Sequence, residues 1–189
     1  DPVGVATADL STGEFELWSC GAGRLADELA RLEPSEVVAS TGRDGVPEGP
    51  WARTRREGWQ FEPGIAEETL ERHYDVAGLQ GFGLDVREEP HLVSAAGALV
   101  AYLREVRPSG LDHLRPPRVE RTGRFMHLDD MTRRNLELVA PLRPEGGGTL
   151  LEVLDRTCTA MGGRLLRRRV LRPLVDADDQ LHDVLQGAQ

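Results

Sequence analysis

Lysine is absent from this 189-residue chain; all 23 of its basic residues are arginine. Without lysine no G-x-x-x-x-G-K-[ST] loop can be written, so the phosphate cradle of P-loop ATPases is excluded from these residues. Positive charge is in deficit, 32 Asp and Glu against 23 Arg, and the formal charge of -9 argues against a chain that seeks phosphate along its whole length. Cysteine is scarce: Cys20 and Cys158 stand too far apart for metal-ligand spacing and read as two buried free thiols in a reducing compartment. His73, His91, His113, His127 and His182 are scattered, with no paired spacing for zinc. No apolar run is long enough to cross a bilayer, and no basic, apolar, small-residue leader opens the chain, so a cytoplasmic location without export is expected. Asp1 stands directly before a strand, which suggests an excised fragment.

A hydrophobic content of 39% supports a packed core, and the length suits one large or two small domains. Val3 to Leu10, the turn Ser11-Thr12-Gly13, and Glu14 to Trp18 read as a hairpin with glycine at a positive-φ position; Phe15 and Leu17 alternate with Glu14 and Glu16, which predicts one wet face. Leu25, Leu29 and Leu32 mark a helix stopping at Pro34, Glu36 to Ala39 a third strand, Gly42 to Pro50 a loop, and Trp59-Gln60-Phe61 a further strand. Ile65, Ala66 and Leu70 predict a short helix showing Glu67, Glu68 and Glu71 to solvent. After an apolar turn at Leu79 to Leu84, a longer helix carries Leu92, Ala95 or Ala96, Leu99, Leu103 and Val106 on one face, and Ala95-Ala96-Gly97-Ala98 lets a neighbour approach closely. Pro108, Pro116 and Pro117 mark residues 107–124 as a linker between an α/β domain at 1–106, a mixed sheet with flanking helices, and an all-α segment at 125–189.

In that last segment Leu128, Met131, Leu138 and Leu142 recur as a buried helical stripe that includes Asn135, with Asp129 or Asp130 as N-cap. Pro144 to Gly148 reads as a loop or hinge, and Thr149-Leu150-Leu151-Glu152 has the form of a capping box opening a second helical run that ends at Arg172-Pro173-Leu174. The stripe needs a cover: the segment can fold back on the first domain, self-associate or fray, and with little area inside one chain self-association as a symmetric homodimer is the expected outcome.

Leu128-Asp129 with Thr132, Arg134-Asn135-Leu136-Glu137-Leu138, then Leu154-Asp155, Thr157, Thr159, Met161-Gly162, Arg164, Leu166 and Pro173-Leu174 resemble the start of the lever or core domain of MutS-family DNA mismatch-repair proteins. Ala8 to Phe15, Gly81-Phe82-Gly83 and Ala95 to Leu99 with Tyr102-Leu103 resemble that family's connector domain, which has a ribonuclease-H-like fold. The family usually carries a tryptophan where Arg169 stands, and Gln180 to Gln189 departs from its pattern. The resemblance implies a non-catalytic piece that relays conformational change between a mismatch-reading domain and an ATPase domain and contacts the MutL partner. Mismatched duplex DNA would be bound through the intact protein, ATP and magnesium outside these residues, and no cofactor within them.

Three sets of side chains are candidates for chemistry. Glu68, Thr69 and Glu71 offer a polar, exposed face for a partner. Arg164, Arg168 and Arg172, four apart with Arg167 and Arg169 beside them, suit phosphate contacts, although a solvated face paired with Asp176, Asp178 and Asp179 is the preferred reading. A basic-helix nucleic-acid-binding module is the function that the arginines alone would support. Asp9 on a first strand, with Asp27, Glu28 and Asp85 as imagined companions, would suit a metal-dependent ribonuclease-H-like nuclease, but the spacing shows no convergence and Asp9 precedes a turn whose donors an aspartate commonly satisfies.

Overall fold

The computed structural model describes residues 2–42, 45–121, 125–126, 128–143 and 147–175. It divides into two compact units, Asp1–Arg121 and Thr122–Gln189. The first is mixed α/β and the second helical.

In the first unit β1 (Pro2–Asp9) and β2 (Glu14–Gly21) form an antiparallel hairpin in which Val5 faces Trp18 and Ala8 faces Phe15. Gly13 takes φ +73 in the turn, a value that glycine adopts without strain. A short β5 (Arg118–Val119) adds to β2 in parallel, giving a mixed three-stranded sheet of order β1-β2-β5. A separate parallel pair joins β3 (Glu36–Ser40) to β4 (Ala52–Arg56).

Phe15 and Leu17 are buried in the main core, as their alternation predicts. The opposite face is not simply wet. Trp18 and its partner Val5 are buried on it, and α1 (Leu25–Leu32) lays the Arg31 guanidinium over the Trp18 indole at 5.6 Å.

The main core lies between the sheet and two helices, α2 (Pro63–Tyr74) and α3 (Pro90–Val106). Ala66 and Leu70 of α2 meet Leu92, Val93, Ala96, Val100 and Leu103 of α3. Gly97 is where the helices come closest: a Cβ there would sit 2.5 Å from the Ala66 Cβ, so only glycine fits. The apolar face is wider than predicted, since Val93, Gly97 and Val100 are buried as well, while Val106 at the helix end is exposed.

Trp59 to Phe61 form a 3-10 turn rather than a strand, and the strand of this region lies just before them as β4. Its sequence, Ala-Arg-Thr-Arg-Arg, carries no apolar alternation because it forms the rim of a two-stranded sheet. Residues 107–121 belong to the first unit, with Leu111 and Leu114 in its core.

Among its described residues the second unit has three short helices, α4 (Asp130–Asn135), α5 (Leu150–Leu154) and α6 (Ala160–Leu171). Asp129 caps α4 by accepting from the Thr132 amide, and both halves of the Thr149–Glu152 capping box are present. The predicted stripe does not form. Helix α4 lasts six residues, and Glu137 at φ 47 turns the chain away before Leu138 can continue the face. Leu138 is buried, but Met131 and Leu142 are exposed, as is Asn135, and Arg133 takes the inward position. The second helical run is also broken, because Asp155 accepts from both the amide and the hydroxyl of Thr157, so that α6 starts afresh at its own cap, Thr159. Of the predicted Gly-rich loop, residues 144–146 lie outside the described residues.

Candidate partner and nucleic-acid surfaces

Helix α2 begins with Pro63, whose fixed φ suits a first helical turn, and ends where Asp75 takes φ 53. With Ala66 and Leu70 turned inward, Glu68 is exposed, whereas Thr69 and Glu71 are half-buried. The Thr69 hydroxyl donates to the Ile65 carbonyl at 2.8 Å, so it is spent within the helix. Glu67, expected in solvent, is also half-buried. Two exposed apolar residues here were missed by the sequence reading: Trp59, 57% exposed in the preceding 3-10 turn, and Ile65, 40% exposed in the first turn of α2. A tryptophan left in water was the available signal, since tryptophan is enriched among residues that dominate interfaces.

Arg164 is exposed on α6 and Arg168 half-buried, but Arg172 lies beyond the helix end, with its guanidinium 4.0 Å from the centre of the Phe125 ring. Helix α6 stops at Leu171, so the four-residue spacing does not extend into one arginine row. Arg167, Arg168, Arg169 and Arg172 each already hold an interaction of their own. Asp176, Asp178 and Asp179, the predicted counter-charges, lie outside the described residues.

The carboxylates considered for metal catalysis are committed to local structure. Asp9 Oδ1 accepts from the Ser11 amide at 2.8 Å and the Ser11 hydroxyl at 2.5 Å, and the Thr12 amide is 3.3 Å away. Glu28 pairs with Arg31 at 2.8 Å in α1, where Asp27 occupies the first turn, and Asp85 accepts from the Arg87 amide at 2.8 Å. Among the described residues no three His, Cys, Asp or Glu side chains converge on a metal-sized site.

The described histidines hold structure. His91 Nε2 is 2.5 Å from the Ser19 hydroxyl, His113 Nε2 donates to the Leu10 carbonyl at 2.8 Å, and partial burial, helped by the positive charge of Arg104, lowers the pKa of His73. His127 and His182 lie outside the described residues. Burial, with Glu28 nearby, pushes the Cys20 thiol up to about 11, which leaves it inert near neutral pH. Cys158, expected to be buried, is exposed in the break between α5 and α6.

A polar cluster ties β3 and β4 to α3: Glu36 accepts from the Tyr102 hydroxyl at 2.7 Å and from Thr54, which holds its carboxyl below the ordinary range, and Arg56 pairs with Glu105. The cleft beside it, lined by Val37, Ala39, Val46, Arg53 and Thr54, has a volume of about 20 Å³. Small-molecule sites occupy roughly 300–1,000 Å³. Among the described residues no helix is long and apolar enough to cross a membrane. Among the described residues the candidate that remains is α2, where Glu68 and Ile65 are exposed.

Comparison with known proteins gives two family matches in succession, MutS domain II over residues 1–115 and MutS domain III over residues 131–179. The chain is 39% identical over 182 residues to a protein of Rhodopirellula baltica described as DNA mismatch repair protein MutS, covering 94% of this chain and 20% of the relative. Proteins of the same description from Dinoroseobacter shibae and Symbiobacterium thermophilum are 42% and 43% identical, covering 93% and 92% of this chain and 20% and 21% of theirs. The chain thus spans about a fifth of the length of the curated relatives it matches.

Proposed function

Because the chain belongs to the MutS family of DNA mismatch repair proteins, as a connector domain followed by the start of a lever domain, we propose that it is a non-catalytic relay between the mismatch-reading and ATPase parts of a longer protein. The observation that carries this reading is the order of the two family matches, one within each compact unit. On this reading the first unit is ribonuclease-H-like, a reading that the hairpin continued by a parallel strand and covered by α2 and α3 supports. Mismatched duplex DNA, ATP and magnesium are bound elsewhere in the longer protein, which works in the cytoplasm, and these residues hold no cofactor. Coupling needs two sites and two states, so the two units act only within that whole.

The MutL partner docks on α2, with Glu68 and Glu71 supplying charge, Thr69 the intervening surface, and Trp59 and Ile65 apolar contact. The second unit leaves apolar side chains in water, which favours self-association into a homodimer when it is separated from the rest of the protein. The test is the affinity of the 189-residue chain for the MutL-type protein of the same source. Glu68→Arg combined with Glu71→Arg should weaken binding about tenfold, or 1.4 kcal/mol, with no change in melting temperature. Unchanged affinity would remove the α2 face, and no binding by the parent chain would overturn the partner reading.

A further inference from the structure

Residues 107–121 have the prolines and the missing periodicity of a loose tether, yet from Leu111 onward they are fastened to the rest of the first unit. Leu111 and Leu114 are in its core with Phe15 and Leu70. Over the β1–β2 turn, the Arg115 amide donates to the Gly13 carbonyl and His113 Nε2 to the Leu10 carbonyl, both at 2.8 Å. From α2, the Tyr74 hydroxyl donates to the Arg115 carbonyl at 2.8 Å. Arg118 and Val119 then run parallel to β2, and the Glu120 amide donates to the Leu17 carbonyl at 2.7 Å. Arg121, the last residue of the unit, reaches Glu89 and the Gly83 carbonyl at 3.1 Å each.

We propose that residues 111–121 are a seated strap, a conformational device that fixes the exit point of the first unit to the tip of its hairpin. Gly13 is the keystone for two independent reasons. Its φ of +73 disfavours any side chain, and a Cβ there would run into the His113 carbonyl of the strap. Hydrogen bonds from β2, α2 and the hairpin turn leave the strap no slack, so a shift of the hairpin is carried in register to Arg121 instead of being absorbed by the proline-rich chain. The strap rests on the relay reading only for its purpose, since it supplies that relay's point of output.

Backbone amide exchange on the full chain tests it. The Leu114, Arg115 and Glu120 amides should be protected about a hundredfold or more against free-chain rates. Gly13→Ala should speed exchange at Leu114 and Arg115 by about tenfold while Val93 and Val100 in α3 stay protected. Should Gly13→Ala loosen α3 too, Tyr74→Phe and His113→Ala decide, because they leave the hairpin backbone alone and should each speed exchange at Arg115 a few-fold. Free-chain rates at Leu114, Arg115 and Glu120 in the parent protein would overturn the strap, as would unchanged exchange at Arg115 in Tyr74→Phe and His113→Ala. Failure of MutL binding with these amides still protected would count against the partner reading of the proposed function and leave the strap standing.

Discussion

The two units handle their apolar side chains in opposite ways. Among the described residues the first buries eighteen hydrophobic side chains and exposes three large ones, Trp59, Ile65 and Val106, whereas the second buries only Leu138, Leu171 and Leu174 and exposes nine. Buried apolar area is the main favourable term in folding, at about 25 cal/mol per Å², so the first unit has the core to hold itself together and the second does not. Local devices partly compensate. The second unit has the Asp129, Thr149 and Thr159 caps, the Phe125 to Leu174 bridge, and the Leu150 and Leu151 amides donating to Glu137 and Leu138 carbonyls. Such devices set the local shape of a segment that has little apolar core of its own among the described residues.

Truncating the core should open the widest gap between the units. Phe15→Ala removes a side chain only 2% exposed and should cost the first unit about 3–5 kcal/mol, read from the urea midpoint of tryptophan fluorescence. Thr149→Ala acts on the other unit: loss of the capping box should lower the stability of α5 by about 1 kcal/mol, seen as a drop in helical circular dichroism with the fluorescence midpoint unchanged. The smallest effect belongs to Met131→Ser combined with Val153→Ser, at positions 73% and 66% exposed. Stability of the dilute chain should change by less than about 0.5 kcal/mol, while light scattering across a dilution series shows weaker self-association. A loss of several kcal/mol there would mean that these side chains are covered within one chain.

What could be read from the sequence follows the same division. The hairpin was legible because Phe15 and Leu17 alternate with glutamates and Gly13 sits where a positive φ is needed, and α1, α2 and α3 because their apolar residues repeat at helical spacing over a real core. Strand β4 was not, since its arginines look toward solvent and toward Glu105 and Gln60, leaving no apolar alternation. In the second unit the stripe from Leu128 to Leu142 was extrapolated through a helix that ends after six residues, where Glu137 adopts a left-handed conformation that residue type does not announce. The caps were legible there because Asp129 and Thr149 each act on a donor three residues away, whereas burial of Arg133 and exposure of Cys158 depend on tertiary packing. Of the α2 face, Glu68 was read as exposed, but the Thr69 hydroxyl was not foreseen as bonded within the helix.

The claim that the units differ in self-sufficiency can be tested in one titration, because Trp18, Trp51 and Trp59 all lie in the first unit while helices are shared by both. Urea unfolding of the dilute chain should give two curves that do not coincide: helical circular dichroism falls first as α4, α5 and α6 melt, and tryptophan fluorescence changes later in one cooperative step. Coincident curves with a single midpoint would show that the second unit is as stable as the first and would contradict the account.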